Sequence, residues 1–143
     1  MPQQRSRRND KRRQELLQAA LGYAEAGIPV FPVHSINGRG VCTCGRKCSS
    51  PGKHPRTKQG HLEATRDEAK IRAWWTRWKN ANIGGALGDK FVAIDVDVKK
   101  DNTGYDSLRA LQDECGGFPK TATVKSGEYE DRRGRHFLSL IHI

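Results

Sequence analysis

Phe91-Val92-Ala93-Ile94-Asp95-Val96-Asp97 is the stretch on which the reading of the chain turns. Its apolar, β-branched run predicts an extended strand, with the composition of an interior one. Along a strand, residues i and i+2 share a face, so Asp95 and Asp97 project together while Val96 points the other way. Two carboxylates side by side at a strand end repel and need a compensating partner. A divalent cation held by both oxygens is the simplest partner. The plainer alternative is one Asp capping a turn beside another in solvent.

On the N-terminal side of this strand, Leu16, Leu17, Ala20, Leu21 and Ala24 recur at helical spacing over 11–25, and Gly27 ends that helix. Residues 28–33 read as a short strand holding Pro29 and Pro32. Thr65 and Glu68 have capping-box spacing and open a helix to about Trp78, with Ile71, Trp74, Trp75 and Trp78 as its apolar stripe. The three Trp suit core packing first and a ligand cage second. A Gly-rich strand over 82–87 leads into the Asp strand. On its C-terminal side the pattern gives a charged loop at 99–104, then a helix over about 105–114 with Leu108 and Leu111 inward. A strand at 121–124, a polar hairpin-like excursion over 125–135 and a last strand over 136–143 follow. The order α-β-α-β-β-α-β-β predicts an α/β (α+β) layered domain.

At 143 residues and a net charge of +10, the chain has room for one domain, placed at 13–143, and its charge suits a polyanionic partner. Nucleic acid comes first and an anionic membrane second; an ordinary basic surface is the bland alternative. Residues 1–12, rich in Arg and nearly free of apolar side chains, read as a disordered basic arm, in which Arg5, Arg7, Arg8, Lys11 and Arg12, with Arg13 beyond it, either neutralise phosphates or are simply solvated. No stretch is apolar enough to span a bilayer and no secretory signal pattern is visible, so a cytoplasmic protein without a membrane partner is expected.

The segment 34–61 is too long for an unsupported loop in a small domain. Within it, Cys42, Cys44, Cys48 and His54 offer three thiols and an imidazole, enough for a tetrahedral zinc site over a loop at about 36–60. Metal binding would order such a loop, because its binding energy becomes folding energy. Four protein ligands leave no open position, so the site is expected to be structural. The alternative is a trio of reactive surface thiols beside an ordinary His. Cys115 reads as a bystander or a small buried apolar residue. Lys53, Arg56 and Lys58 crowd the end of the loop and suit phosphates, and Lys125, Ser126 and Arg135 near the last strand are further candidates for nucleotide or DNA contact.

Five of these pieces, in this order, resemble a known family: 24–33 (Ala-Glu-Ala-Gly-Ile-Pro-Val-Phe-Pro-Val), Pro51-Gly52-Lys53-His54-Pro55, Ala73-Trp74-Trp75 with Asn82-Ile83-Gly84, Ile94-Asp95-Val96-Asp97, and Gly134-Arg135-His136. They are similar to the N-terminal bifunctional DNA primase/polymerase (prim-pol) domain of phage and plasmid replication proteins, within the archaeo-eukaryotic primase superfamily, over about 13–138. The resemblance implies a small N-terminal α/β unit followed by a partial RNA-recognition-like catalytic unit. It implies Asp95 and Asp97 as a catalytic pair for Mg²⁺ or Mn²⁺, His136 as a contact to the incoming nucleotide's phosphates, and Cys42, Cys44, Cys48 and His54 as a zinc insert. It further implies a DNA template, nucleoside triphosphates and a helicase domain or subunit as partners, in a bacterial cell. Two-metal nucleotidyl transfer needs bridging carboxylates and basic groups but no nucleophilic side chain, which suits this residue set.

The family pattern also has a third acidic residue on a later strand, whereas this sequence stops seven residues after His136. The expectation is therefore a fragment with weak or no activity by itself. A non-enzymatic, zinc-containing DNA-binding module is the competing expectation, and a metal-dependent nuclease is a third.

Overall fold

The computed structural model describes residues 2–88, 91–98, 104–117, 120–129 and 132–140. The chain divides into two compact units, Met1–Ala86 and Leu87–Ile143. The architecture is mixed α/β, with the predicted element order plus one 3-10 turn at Gly60–Glu63.

The first unit is built on helices α1 (Pro2–Glu25) and α2 (Glu68–Arg77) and the antiparallel pair β1 (Val30–Val33) and β2 (Asn82–Gly85). Ala20 and Ala24 on α1 are small enough for α2 to bring Ile71 and Trp75 against them, and Val30 and Ala81 complete this buried cluster. Trp75 keeps its one polar atom satisfied by donating Nε1–H to the Ala81 carbonyl at 3.3 Å. Leu16, Leu17, Leu21, Trp74 and Trp78 pack around it, so the Trp stripe is core. Gly27, at φ 92°, turns the chain out of α1 and into β1. In β2, a Cβ on Gly84 would lie 2.5–2.9 Å from three atoms of the Phe31 ring, so only glycine lets that ring lie across the strand pair.

Two sequence expectations are corrected in this unit. Residues 2–12, expected as a disordered arm, are the first half of α1. Pro2 suits the first helical position, the Gln, Arg and Lys that follow are good helix formers, and Arg13–Asp10 and Lys11–Glu15 pair along the surface. The cap of α2 is Asp67, whose carboxylate accepts from the Lys70 amide at 2.7 Å. Thr65 is drawn elsewhere: its backbone bridges to Val30 and its hydroxyl accepts from the Asp67 amide.

The second unit has strands β3 (Phe91–Val96), β4 (Ala122–Tyr129) and β5 (Arg132–Leu140) and helix α3 (Gly104–Cys115), which contacts β3. The sheet is antiparallel in the order β3-β5-β4. The Asp strand is therefore not interior: among the described residues it pairs on one side only, with β5, and Val92 is 43% exposed. The centre goes to β5, because the expected polar excursion over 125–135 continues β4 and β5 as a long hairpin with a bulge between Lys125 and Glu128. Leu108 is half-buried but Leu111 is 42% exposed, so α3 buries less than its pattern suggests. Cys115 is exposed. The expected loop after Asp97 and the end of the last strand, 141–143, lie outside the described residues.

Candidate metal centre and carboxylate strand

The long loop after β1 folds back on itself before it reaches the cysteines. The Asn37 side chain accepts from the Arg39 and Val41 amides, closing a turn that places Cys42 opposite Ile36. From β2, the Asn82 amide donates to the carbonyls of His34 and Gly52 at 3.1 and 3.0 Å, tying the two limbs of the loop together. The Gly52 amide in turn donates to the Cys42 sulfur at 3.4 Å. The result gathers the ligand atoms of Cys42, Cys44, Cys48 and His54 within 4.8 Å of one another. A tetrahedral site with Zn–S bonds of ~2.3 Å has ligand atoms ~3.7 Å apart, so the four need only close by about 1 Å.

The donor chemistry fits the ion. His54 donates Nδ1–H to the Ser50 carbonyl at 3.2 Å, since a carbonyl can only accept, and this leaves the Nε2 lone pair for a metal. Burial alone would raise the Cys42 thiol, but hydrogen bonds from Gly52 and Cys44 outweigh it and bring Cys42 down to about 7. Cys48 is pushed up to about 11 by burial and by its hydrogen bonds with Cys42 and Cys44. One thiolate is thus ready near neutral pH while another holds its proton until a cation takes its place.

A second layer surrounds this cluster. The Thr43 hydroxyl, between the first two cysteines, accepts from Arg56 Nη2 at 2.7 Å and from the Ser35 amide at 3.1 Å. Its own proton is left for His34 Nδ1 at 3.0 Å. The His34 ring packs on His54 with centroids 4.6 Å apart. Burial, and then the charges of Arg56 and its neighbours, lower the His34 pKa, which keeps that ring neutral and accepting. Arg56, expected to meet phosphates, is half-buried, bonded to Thr43 and set 5.9 Å from the Trp78 ring. Lys53 and Lys58 are exposed. Beside the cysteines opens a cleft of about 420 Å³ lined by Cys44, Cys48 and His54 with Arg46, Lys47 and Ser50.

In the second unit, Asp95 and His136 are direct partners across the β3–β5 ladder, with His136 Nε2 at 3.0 Å from Asp95 Oδ1. Val124 is the partner of His136 on β4. One step along, Val96, Arg135 and Lys125 are aligned, so Arg135 and Lys125 lie on the opposite face from Asp95 and His136. Ser126 follows Lys125 at the bulge, and its side chain lies outside the described residues. Asp97 lies one residue past β3 and is exposed. Among the described residues, the Cys-Cys-Cys-His set is the one group of three or more His, Cys, Asp or Glu ligand atoms close enough to share a metal, and Asp95, Asp97 and His136 do not form another.

The family model for bifunctional DNA primase/polymerase, N-terminal (Prim-Pol), matches residues 20–140. The chain belongs to the Prim-Pol family. No curated protein and no solved structure matches it. Membership carries nucleotidyl-transfer and DNA-binding character at the level of the family, and the Prim-Pol match takes in the cysteine loop, β3 and β5 alike. No helix among the described residues is long and apolar enough to cross a membrane. Sequence reasoning missed Thr43, Asn37 and His34 in this Prim-Pol chain, and took Asn82 as part of a family motif without its role in tying the loop. Thr43 carried a usable signal, a hydroxyl inside a Cys-x-Cys turn, whereas Asn82 lies far along the chain from the carbonyls it binds.

Proposed function

We propose that this chain is a DNA-engaging module of a primase/polymerase, in which zinc held by Cys42, Cys44, Cys48 and His54 fixes the loop over about 36–60 so that its basic side chains meet phosphates. The observation that carries this reading is the convergence of those four ligand atoms within 4.8 Å. When bound, zinc would supply structural order and no reaction step. Around it, Arg46, Lys47, Lys53 and Lys58 are exposed and remain available to a polyanion. The cleft bordered by Arg46, Lys47 and Ser50 is large enough to take a phosphate group.

The test is DNA affinity of purified protein with and without chelation, alongside metal analysis. About one zinc per chain, and at least tenfold weaker DNA binding once the metal is withdrawn, supports the reading. Metal-free protein with a folded loop and unchanged DNA affinity would sink it.

A second reading rests on the Asp95–His136 contact. Asp95 and Asp97 would hold a divalent cation, Mg²⁺ or Mn²⁺, which when bound supplies charge neutralisation for a transferring phosphoryl group. His136, oriented by Asp95, would contact the phosphates of a nucleoside triphosphate. Asp95→Asn with Asp97→Asn should then abolish Mn²⁺-dependent nucleotide binding, while on the module reading the pair leaves DNA affinity unchanged or raises it.

A further inference from the structure

The first three turns of α1 stand apart from the core they lead into. Arg7, Arg8, Lys11 and Arg12 are all exposed, and the packing of α1 against the buried cluster begins only at Leu16. At about 100° per residue, Arg12 lies ~40° from Arg8, with Lys11 and Arg7 about 60° and 100° to its other side. On the same wheel Ala20, Ala24 and Leu17 fall about 120°, 160° and 180° from Arg8. The basic stripe is therefore on the side opposite to the face that docks on α2, and it stays open when the helix is docked.

Few acidic groups answer this charge. Glu15 lies 3.9 Å from Lys11, and Asp10 is engaged at 3.1 Å by Arg13 on the core side. Arg7, Arg8 and Arg12 have no carboxylate within ion-pair distance among the described residues. Arg8 and Arg12, at i and i+4, repel each other along the helix, and an external anion would relieve that repulsion.

We infer that this stripe is a second DNA-binding surface, separate from the cysteine loop, which holds the phosphate backbone of duplex DNA without reading sequence. The chemistry separates it from other polyanion sites. Residues 2–15 contain no aromatic side chain on which an unpaired base could stack. They also contain no Leu, Ile, Phe or Trp to bury in a bilayer, so a lipid surface would gain charge contacts alone. A helix carrying, at regular spacing within two turns, three Arg without a described carboxylate partner suits the regular phosphates of a duplex, such as the one a DNA polymerase makes on its template. The inference rests on the Prim-Pol assignment for its choice of partner, but not on the zinc reading.

The test compares the full chain with the R7Q/R8Q/R12Q variant, because Gln keeps helix propensity while removing charge. Binding to a fluorescent random-sequence duplex is followed across salt concentrations, with circular dichroism and zinc content as controls. Each lost phosphate contact lowers the slope of log K against log salt by ~0.9, so the variant should show a slope shallower by about 2–3 with an unchanged spectrum and zinc content. Arg→Lys at the same three positions should keep the slope. An unchanged slope in the Gln variant overturns the inference, even if chelation still weakens binding and the cysteine-loop reading stands. A variant that loses binding only to phosphatidylserine vesicles, with duplex binding intact, assigns the stripe to membranes and also overturns it.

Discussion

The cysteine loop and the carboxylate strand carry the two motifs that stand out in the sequence, and the fold treats them differently. The loop has little regular structure, yet its ligands are fixed by a dense set of bonds from Asn37, Asn82, Thr43, Gly52 and Ser50. The strand is regular, yet Asp95 and His136 stand on an exposed sheet face with 56% and 44% of their side-chain surface in solvent. A metal site is made by groups converging from several directions, and regular secondary structure alone does not supply that. The first region has the supporting layer that holds a ligand set in place; the second pairs Asp95 with His136 across the strands and, among the described residues, shows no comparable layer of hydrogen bonds around them.

If that contrast is right, disturbing the loop's ligands should have the largest effect. Cys42→Ser should lower zinc retention by more than 100-fold and strip hydrogen-exchange protection from 34–59, while α1 and α2 stay protected. For the parent protein, zinc affinity should fall with pH already above neutrality, because Cys48 gives up a proton on ligation, and more steeply below about 7, where the Cys42 thiolate also takes one. The drop should be about tenfold per pH unit for each proton displaced, measurable by competition with a chromophoric chelator.

Next in size, Trp75→Ala should cost about 3–5 kcal/mol in chemical denaturation of the first unit, because it empties the centre of the α1–α2 packing. The Asp95–His136 contact belongs to the other unit, and its chemical shifts should not change. An equal loss of structure in both units would contradict their division. Smaller again, Thr43→Val should weaken zinc binding by about 10–100-fold, the usual scale for removing a partner behind the ligands, with little change in overall fold. The smallest effect belongs to Asp95→Asn, which should alter stability by under about 0.5 kcal/mol because the pair it breaks is exposed. A loss of several kcal/mol there would mean that the strand is as tightly built as the loop.

Much of this could be read from the chain beforehand, for identifiable reasons. Apolar spacing gave the element order, since Leu16 to Ala24 and Ile71 to Trp75 bury the faces their periodicity marks. The four metal-ligand candidates are close in sequence, so a single loop brings them together. What escaped was decided at a distance or by competition. Whether the Asp strand lies inside or at the edge of its sheet depends on β5 pairing with both neighbours. Capping-box spacing pointed to Thr65 as the cap of α2, but the bridge from Thr65 to Val30 draws that residue away and leaves the place to Asp67. The ordered start of α1 was hidden because a helix without an apolar face resembles a solvated tail in composition. The contacts of Arg56 with Thr43 and Trp78 join residues distant in sequence and carry no local signal.

X-ray absorption at the zinc edge of protein purified without chelator would speak to the loop's role most plainly. One zinc per chain, with three sulfur ligands at about 2.3 Å and one nitrogen, is the result expected from the convergence of Cys42, Cys44, Cys48 and His54. Absence of zinc, or a shell of oxygen and nitrogen without sulfur, would contradict it.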